Sequence, residues 1–130
     1  MAVRSPYPAI AKAFERVTVD GCTLRCGELW SSLEKRSRLK RDTWLRDLHG
    51  TVKDLYLRRR ILATTSGTTG PPKQFTIPAR DLVMSSRLTG ATFGLMPGDR
   101  VLHCLPALYV AGKMMLVRAF ALGLDIHFID

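Results

Sequence analysis

The stretch ATTSGTTGPPKQF, residues 63–75, decides how this sequence is organised. It places two glycines, two prolines, five hydroxyl side chains and one lysine directly after an apolar run. This composition disfavours helix and strand and is typical of a loop. Gly67 and Gly70 allow positive φ angles, so consecutive backbone N–H groups can turn toward one anion. Lys73 adds a full charge behind the two prolines, and polyphosphate is the predicted anion.

Composition predicts a single globular domain. The chain has 130 residues, of which 46% are hydrophobic and 24% are charged, enough for one small core. No apolar run is long enough to span a bilayer, and the amino terminus lacks a secretory apolar segment, so we predict a cytoplasmic protein without stable membrane insertion. The three cysteines fit a reducing compartment. Buried free thiols are favoured over a metal pair at Cys22 and Cys26.

The net charge of +9 raises the question of a polyanionic partner. Positive residues concentrate between Lys35 and Arg60, where Asp42, Asp47 and Asp54 interrupt them, as on a solvated helix with paired charges. No nucleic-acid-binding motif accompanies this segment. We therefore expect no nucleic-acid partner, although a basic RNA- or DNA-binding protein stays the weakest alternative.

Residues 1–60 read as an N-terminal lead with a short hairpin and helices. Alternation over 17–24 around Asp20-Gly21 predicts the hairpin. A helix is expected over 28–38, and Asp42 is a candidate N-cap for the next one. The core face predicted for that second helix is Trp44, Leu48, Val52 and Leu55, with Leu45 and Tyr56 beside it.

Residues 61–130 read as an α/β segment. Its predicted strands are 61–65, 73–77, 101–105 and 125–129, and its predicted helices are 78–93 and 112–122, with Gly123 as a C-cap. Short joints between these elements predict an α/β fold with mostly parallel strands and flanking helices.

The loop does not match a Walker A sequence, which requires Gly-Lys-Ser/Thr at its end. Lys73 follows Pro72 and precedes Gln74, so a Walker-type NTPase is disfavoured. A plain Ser/Thr/Gly linker is the structural alternative, and it suits the fixed Pro-Pro-Lys poorly.

Two segments resemble the adenylate-forming superfamily, which includes acyl-CoA synthetases, acid–CoA ligases, luciferases and peptide-synthetase adenylation domains. TSGTTGPPK (65–73) resembles its phosphate-loop signature, with Gln74 where the family usually has glycine. LPALYVAG (105–112) is similar to its Leu-Pro-x-x-His-x-x-Gly segment, with Tyr109 in place of the histidine. Within the superfamily, YVAGKMMLVRA (109–119) resembles the o-succinylbenzoate–CoA ligases of menaquinone biosynthesis. The resemblance is strong over 61–130 and fainter from about residue 17.

The resemblance implies an incomplete, N-terminal part of the adenylate-forming α/β domain and a two-step reaction. A small carboxylic acid attacks the α-phosphate of Mg²⁺-bound ATP, and the thiol of CoA then displaces AMP. The residues implied in ATP binding are Thr65, Ser66, Gly67, Thr68, Thr69, Gly70 and Lys73.

Tyr109, Gly112 and Lys113 are implied in binding the acid. Tyr109 could instead be a core aromatic, and Lys113 a surface lysine. Further residues have expected structural roles: His103 and His127 within strands, and Arg118 either snorkelling or paired.

The family's later segments, including its metal-binding acid and catalytic lysine, cannot be located in this sequence. We therefore expect the N-terminal piece of a longer ligase, inactive alone, with its catalytic residues unassigned. The alternative is a stand-alone basic module that binds nucleotides or polyanions without catalysis.

Overall fold

The computed structural model describes residues 5–40, 43–64 and 70–129, which form two β-sheets and four α-helices. The elements are β1 (Arg16–Val19), β2 (Cys22–Arg25), α1 (Cys26–Lys40), α2 (Thr43–Arg58), β3 (Arg60–Thr64), β4 (Gln74–Pro78), α3 (Ala79–Phe93), β5 (Arg100–His103), α4 (Val110–Leu122) and β6 (Asp125–Phe128). Four strands pair in the order β2-β1-β6-β5, and β3 pairs with β4 in a second sheet. Within the larger sheet, β1–β6 and β5–β6 are parallel and β1–β2 is antiparallel. The predicted α/β class, with a mostly parallel sheet and flanking helices, is confirmed.

The predicted hairpin is β1–β2, and its turn is fastened to the last strand. Asp20 and Gly21 have φ angles of 49° and 80°, as a two-residue type I′ turn requires. The Gly21 N–H donates to the Asp125 carboxylate at 2.9 Å, and the Asp20 N–H donates to the Ile126 carbonyl at 3.1 Å. His127 Nδ1 lies 2.7 Å from the Asp20 carboxylate. His127 therefore has the structural role that the sequence predicts.

The strand expected over 73–77 pairs differently from the prediction. Parallel pairing is expected for the strands at 73–77 and 101–105, which the helix over 78–93 connects. Instead β4 pairs antiparallel with β3, from Arg60↔Pro78 to Thr64↔Gln74, and lies in a different sheet from β5. The physical reason is local. A short loop can reverse the chain at little entropic cost, so the antiparallel neighbour forms more readily than one across α3. The parallel pairs are instead β5–β6, which α4 connects, and β1–β6.

The helices follow the sequence signals closely. A Glu28 side-chain oxygen accepts the Arg25 N–H at 3.2 Å, and α1 begins at Cys26, two residues before the predicted start. Helices α3 and α4 end at Gly94 and Gly123, whose φ angles are 66° and 70°. The C-cap prediction for Gly123 is thus confirmed. The proposed N-cap Asp42 lies outside the described residues.

One apolar core joins both halves of the chain, and α4 contributes much of it. The buried face of α2 holds Leu45, Leu48, Val52 and Leu55, while Trp44 is half-buried and Tyr56 exposed. The face of α4 supplies Leu116, Val117, Ala119, Phe120, Ala121 and Leu122. The Phe120 and Phe14 ring centroids lie 6.0 Å apart.

The prediction of buried thiols at Cys22 and Cys26 is confirmed for Cys26 and wrong for Cys22. Cys26 is buried, whereas Cys22 and Cys104 are exposed because they lie on or beside the edge strands β2 and β5. Burial raises the pKa of Cys26 from 9.0 to about 12. Across 5–40, 43–64 and 70–129, no group of His, Cys, Asp and Glu side chains could hold a metal ion. The helices in those same ranges are all too short or too polar to cross a membrane.

Candidate functional site

The predicted phosphate loop is closed at its base by the β3–β4 hairpin. Thr64 and Gln74 form the last pair of the two strands, so residues 65–73 leave and return at one point. Opposed Cα atoms in such a pair lie about 4.5–5.5 Å apart. Five of the predicted ATP-binding residues lie outside the described residues: Thr65, Ser66, Gly67, Thr68 and Thr69.

The two predicted ATP-binding residues that the structure describes, Gly70 and Lys73, are both exposed on the returning side of the loop. Among the residues that the structure describes, a Cβ added at Gly70 would meet no atom within 4 Å. Lys73 immediately precedes Gln74, whose position the strand register fixes. The ATP-binding assignment of all seven loop residues stays a prediction.

Gly112 lies against the chain segment that precedes α4. A Cβ at this position would lie 2.0 Å from the Pro106 oxygen and 2.7 Å from the Leu105 oxygen. Both are backbone atoms, so no side-chain rotation could relieve the contact. The Tyr109 N–H donates to the same Pro106 oxygen at 3.2 Å, which closes a tight turn. The glycine of the 105–112 segment is therefore required by close backbone approach, whatever it contributes to acid binding.

Tyr109 is at the N-cap position of α4 and is 64% exposed. The alternative reading of this residue as a core aromatic is therefore wrong. Its carbonyl accepts the Lys113 N–H at 3.1 Å, which starts the helix. Its side chain is accessible to a ligand, and its role in acid binding stays a prediction.

His103, in strand β5, binds the first turn of α4. Its side chain is 5% exposed, and its Nε2 lies 2.9 Å from the Gly112 carbonyl oxygen. A carbonyl only accepts, so Nε2 carries the hydrogen. Burial lowers the pKa of His103 and outweighs the opposing effect of the bond to Gly112. The rings of Phe128 and His103 meet edge to face, with their centroids 5.4 Å apart. This is the structural role that the sequence predicts for His103.

Lys113 reaches from α4 to the strand that enters the phosphate loop. Its Nζ donates to the Leu62 carbonyl of β3 at 2.9 Å, and its side chain is half-buried. The reading of Lys113 as an ordinary surface lysine therefore fails. Its predicted contact with the acid is not tested by this geometry. Nothing in the sequence indicated this long-range bond, or Leu62 as its acceptor.

A cavity that the sequence did not predict lies between α3, α4 and β5. Its volume is about 370 Å³, and its lining is Thr89, Phe93, Leu95, Val101, Met115, Arg118 and Leu124. Arg118 is the one charged residue among the described residues that line this cavity. Its Nε is buried and has no hydrogen-bond partner among the described residues. The signal in the sequence was an arginine within an otherwise apolar helix, for which snorkelling or pairing was expected.

A larger cleft of about 990 Å³ lies elsewhere, between the β1–β2 hairpin and the helices α1 and α2. Its charges are mixed and partly satisfied: Arg25 lies 3.9 Å from Glu28, and Arg59 donates to the Ala11 carbonyl at 2.9 Å. It contains none of the residues that the resemblance implicates. The smaller cavity is the better candidate for a site because it shares α4 with Tyr109, Gly112 and Lys113.

Comparisons with known proteins support the superfamily. No protein-family model matches the sequence, and no curated protein matches it. The chain is similar to the crystal structure of an AMP-forming acyl-CoA synthetase/AMP-acid ligase II-like protein from Dyadobacter fermentans, with 34% identity over 69% of this chain and a TM-score of 0.60. The chain spans 26% of that protein. The likeness agrees with an adenylate-forming, ligase-like fold and does not bear on o-succinylbenzoate.

Proposed function

We propose that this chain provides the phosphate-binding part of an AMP-forming acid–CoA ligase. The 34% identity to an AMP-forming acyl-CoA synthetase carries the proposal. The β3–β4 hairpin supports it, because the pairing of Thr64 with Gln74 brings the two ends of the segment 65–73 together. Lys73 and the backbone N–H groups of the loop bind the β- and γ-phosphates and stabilise the departing pyrophosphate.

The reaction is adenylation of a carboxylic acid followed by thioester formation with CoA. The acid carboxylate attacks the α-phosphate, pyrophosphate leaves, and the CoA thiol then displaces AMP. No acidic cluster within the described ranges could hold Mg²⁺, so the ion enters this proposal as its complex with ATP. The residues that contact CoA are not assigned to this chain.

The acid of this proposal is o-succinylbenzoate, an aromatic ring with two carboxylates. The cavity beside α4 supports this choice, since it is apolar and has one guanidinium at its wall. Arg118 follows Gly112 by six residues, which is roughly 9 Å along a helix and close to the length of such a diacid. One carboxylate would pair with Arg118 through a charge-assisted hydrogen bond. The other would lie near Tyr109 and face the phosphate loop.

Phosphorus NMR tests the ATP assignment directly on the chain. At millimolar ATP we expect the β- and γ-phosphate resonances to broaden more than the α resonance. Lys73→Ala should abolish this selectivity because it removes the loop's full charge. Lys53→Ala removes an exposed lysine of α2 and serves as the matched control. Equal broadening with Lys73→Ala and wild type would reject the role of Lys73.

Ligand-observed NMR tests the acid assignment. We compare o-succinylbenzoate with 3-benzoylpropionate, which lacks the ring carboxylate. Arg118→Met should weaken binding of the diacid by about tenfold or more, the value of one charge-assisted hydrogen bond, and leave the monoacid unchanged. An equal loss of affinity for the two acids would contradict the pairing of Arg118 with a carboxylate that only the diacid has. Tight ATP binding by the monomeric chain, with neither acid bound, would favour the stand-alone nucleotide-binding module instead.

A further inference from the structure

The first turn of α4 is attached to both sheets of the protein. On one side, His103 of β5 binds the Gly112 carbonyl at 2.9 Å. On the other, the Lys113 ammonium binds the Leu62 carbonyl of β3 at 2.9 Å. These two neighbouring residues of α4 therefore join the larger sheet to the hairpin that closes the loop at 65–73.

The bond from Lys113 is the more informative of the two. The half-buried Lys113 ammonium holds α4 and β3 at a fixed distance, because a charge-assisted hydrogen bond to a backbone carbonyl is stronger and shorter than a neutral one. Its acceptor, Leu62, lies two residues before Thr64, where the chain leaves the hairpin for the loop. The first turn of α4 is therefore bonded directly to the strand that leads into the loop.

We propose that Lys113 is a positioning residue that fixes residues 109–113, the turn that binds the acid in the proposed function, relative to β3, the strand that leads into the loop at 65–73. It acts through the Leu62 carbonyl and not through the acid. This inference rests on the proposed function for the identity of the two ligands, while the link itself stands on the geometry. The second carboxylate of a diacid is then left to Arg118, the one cation of the cavity lining.

Hydrogen exchange of the ligand-free chain tests the link without any ligand. Lys113→Met keeps the length of the side chain and removes its donor, so we expect amides of β3 and β4 to exchange about tenfold faster. Lys113→Arg restores a donor and should restore most of the protection. Lys53→Met, on the exposed face of α2, should leave β3 and β4 unchanged. Unchanged exchange in Lys113→Met would overturn the proposal.

Acid binding separates the two possible roles of Lys113. A positioning residue affects o-succinylbenzoate and 3-benzoylpropionate by the same factor. A residue that pairs with the ring carboxylate weakens only the diacid, and that result, with normal exchange, would overturn the proposal. If the wild type binds neither ATP nor acid, the proposed function fails, while the exchange comparison still decides the link. Should Lys113→Met not fold, Lys113→Leu, which also lacks a donor, gives the same comparison.

Discussion

Replacing Gly112 with alanine should destabilise the protein, although the same change at Gly50 should stabilise it. Both glycines lie in helices, where alanine is favoured by about 1 kcal/mol. At Gly50 an added Cβ meets no atom of the described residues within 4 Å, so this gain is retained. At Gly112 the Cβ would lie 2.0 Å from the Pro106 oxygen, and the backbone must retreat by at least 1.0 Å to reach the 3.0 Å limit.

The cost of that retreat can be estimated from the contacts it disturbs. Forcing a methyl group into a packed site costs about 1–3 kcal/mol. Moving the Gly112 carbonyl away from His103 leaves a buried N–H without its acceptor, which costs about 1–3 kcal/mol more. After subtraction of the helix-propensity gain, we expect Gly112→Ala to lower the free energy of unfolding by about 1–5 kcal/mol.

Urea unfolding followed by circular dichroism measures both variants under one set of conditions. The midpoint for Gly112→Ala should fall below that of the wild type, and the midpoint for Gly50→Ala should rise above it. If the two variants rise together, the close approach of residues 105–106 to α4 does not exist in solution, and the explanation of the motif glycine is wrong.

Two further predictions follow from buried titratable groups. Because the Cys26 pKa is raised to about 12, iodoacetamide at pH 8 should label Cys22 and Cys104 but spare Cys26 until urea unfolds the chain. The contribution of Cys26 to stability should be lost between pH 9.0 and about 12, where the thiol ionises in the unfolded chain but not in the folded one. A Cys26→Ala variant should not show this loss. Burial lowers the pKa of His103 below 6.5, so the unfolded chain binds a proton before the folded chain does, and stability should fall as the pH drops below 6.5. Urea midpoints of wild type and His103→Gln, measured at pH 7.5 and at pH 5, isolate this effect. A difference between the two proteins that is the same at both pH values would count against it.

Local signals in the sequence sufficed for most elements. Proline at 78 and glycine at 94 bound α3, and the Asp20-Gly21 pair specifies the turn of β1–β2, because each of these residues restricts the backbone by itself. Pairing between distant strands has no such signal. The parallel pairing of β1 with β6 depends on which surfaces meet after collapse.

The candidate site, like the fold, could be predicted from the sequence only in part. Its two motifs are contiguous and could be found from the residues alone. The bond from Lys113 to Leu62 joins residues 51 positions apart, and the acceptor is a backbone oxygen that every residue possesses. The cavity at Arg118 draws its lining from α3, α4 and β5, so only the assembled fold brings those side chains together.

The position of β1 beside β6 has a consequence for how the chain matures on the ribosome. The Gly21 amide and its Asp125 partner are 104 residues apart. At about 5–20 residues per second, the first hairpin emerges and waits several seconds before its parallel neighbour is translated. Until then its inner edge is open to other nascent chains, so slow translation or a stalled message should favour aggregation at this edge over completion of the sheet.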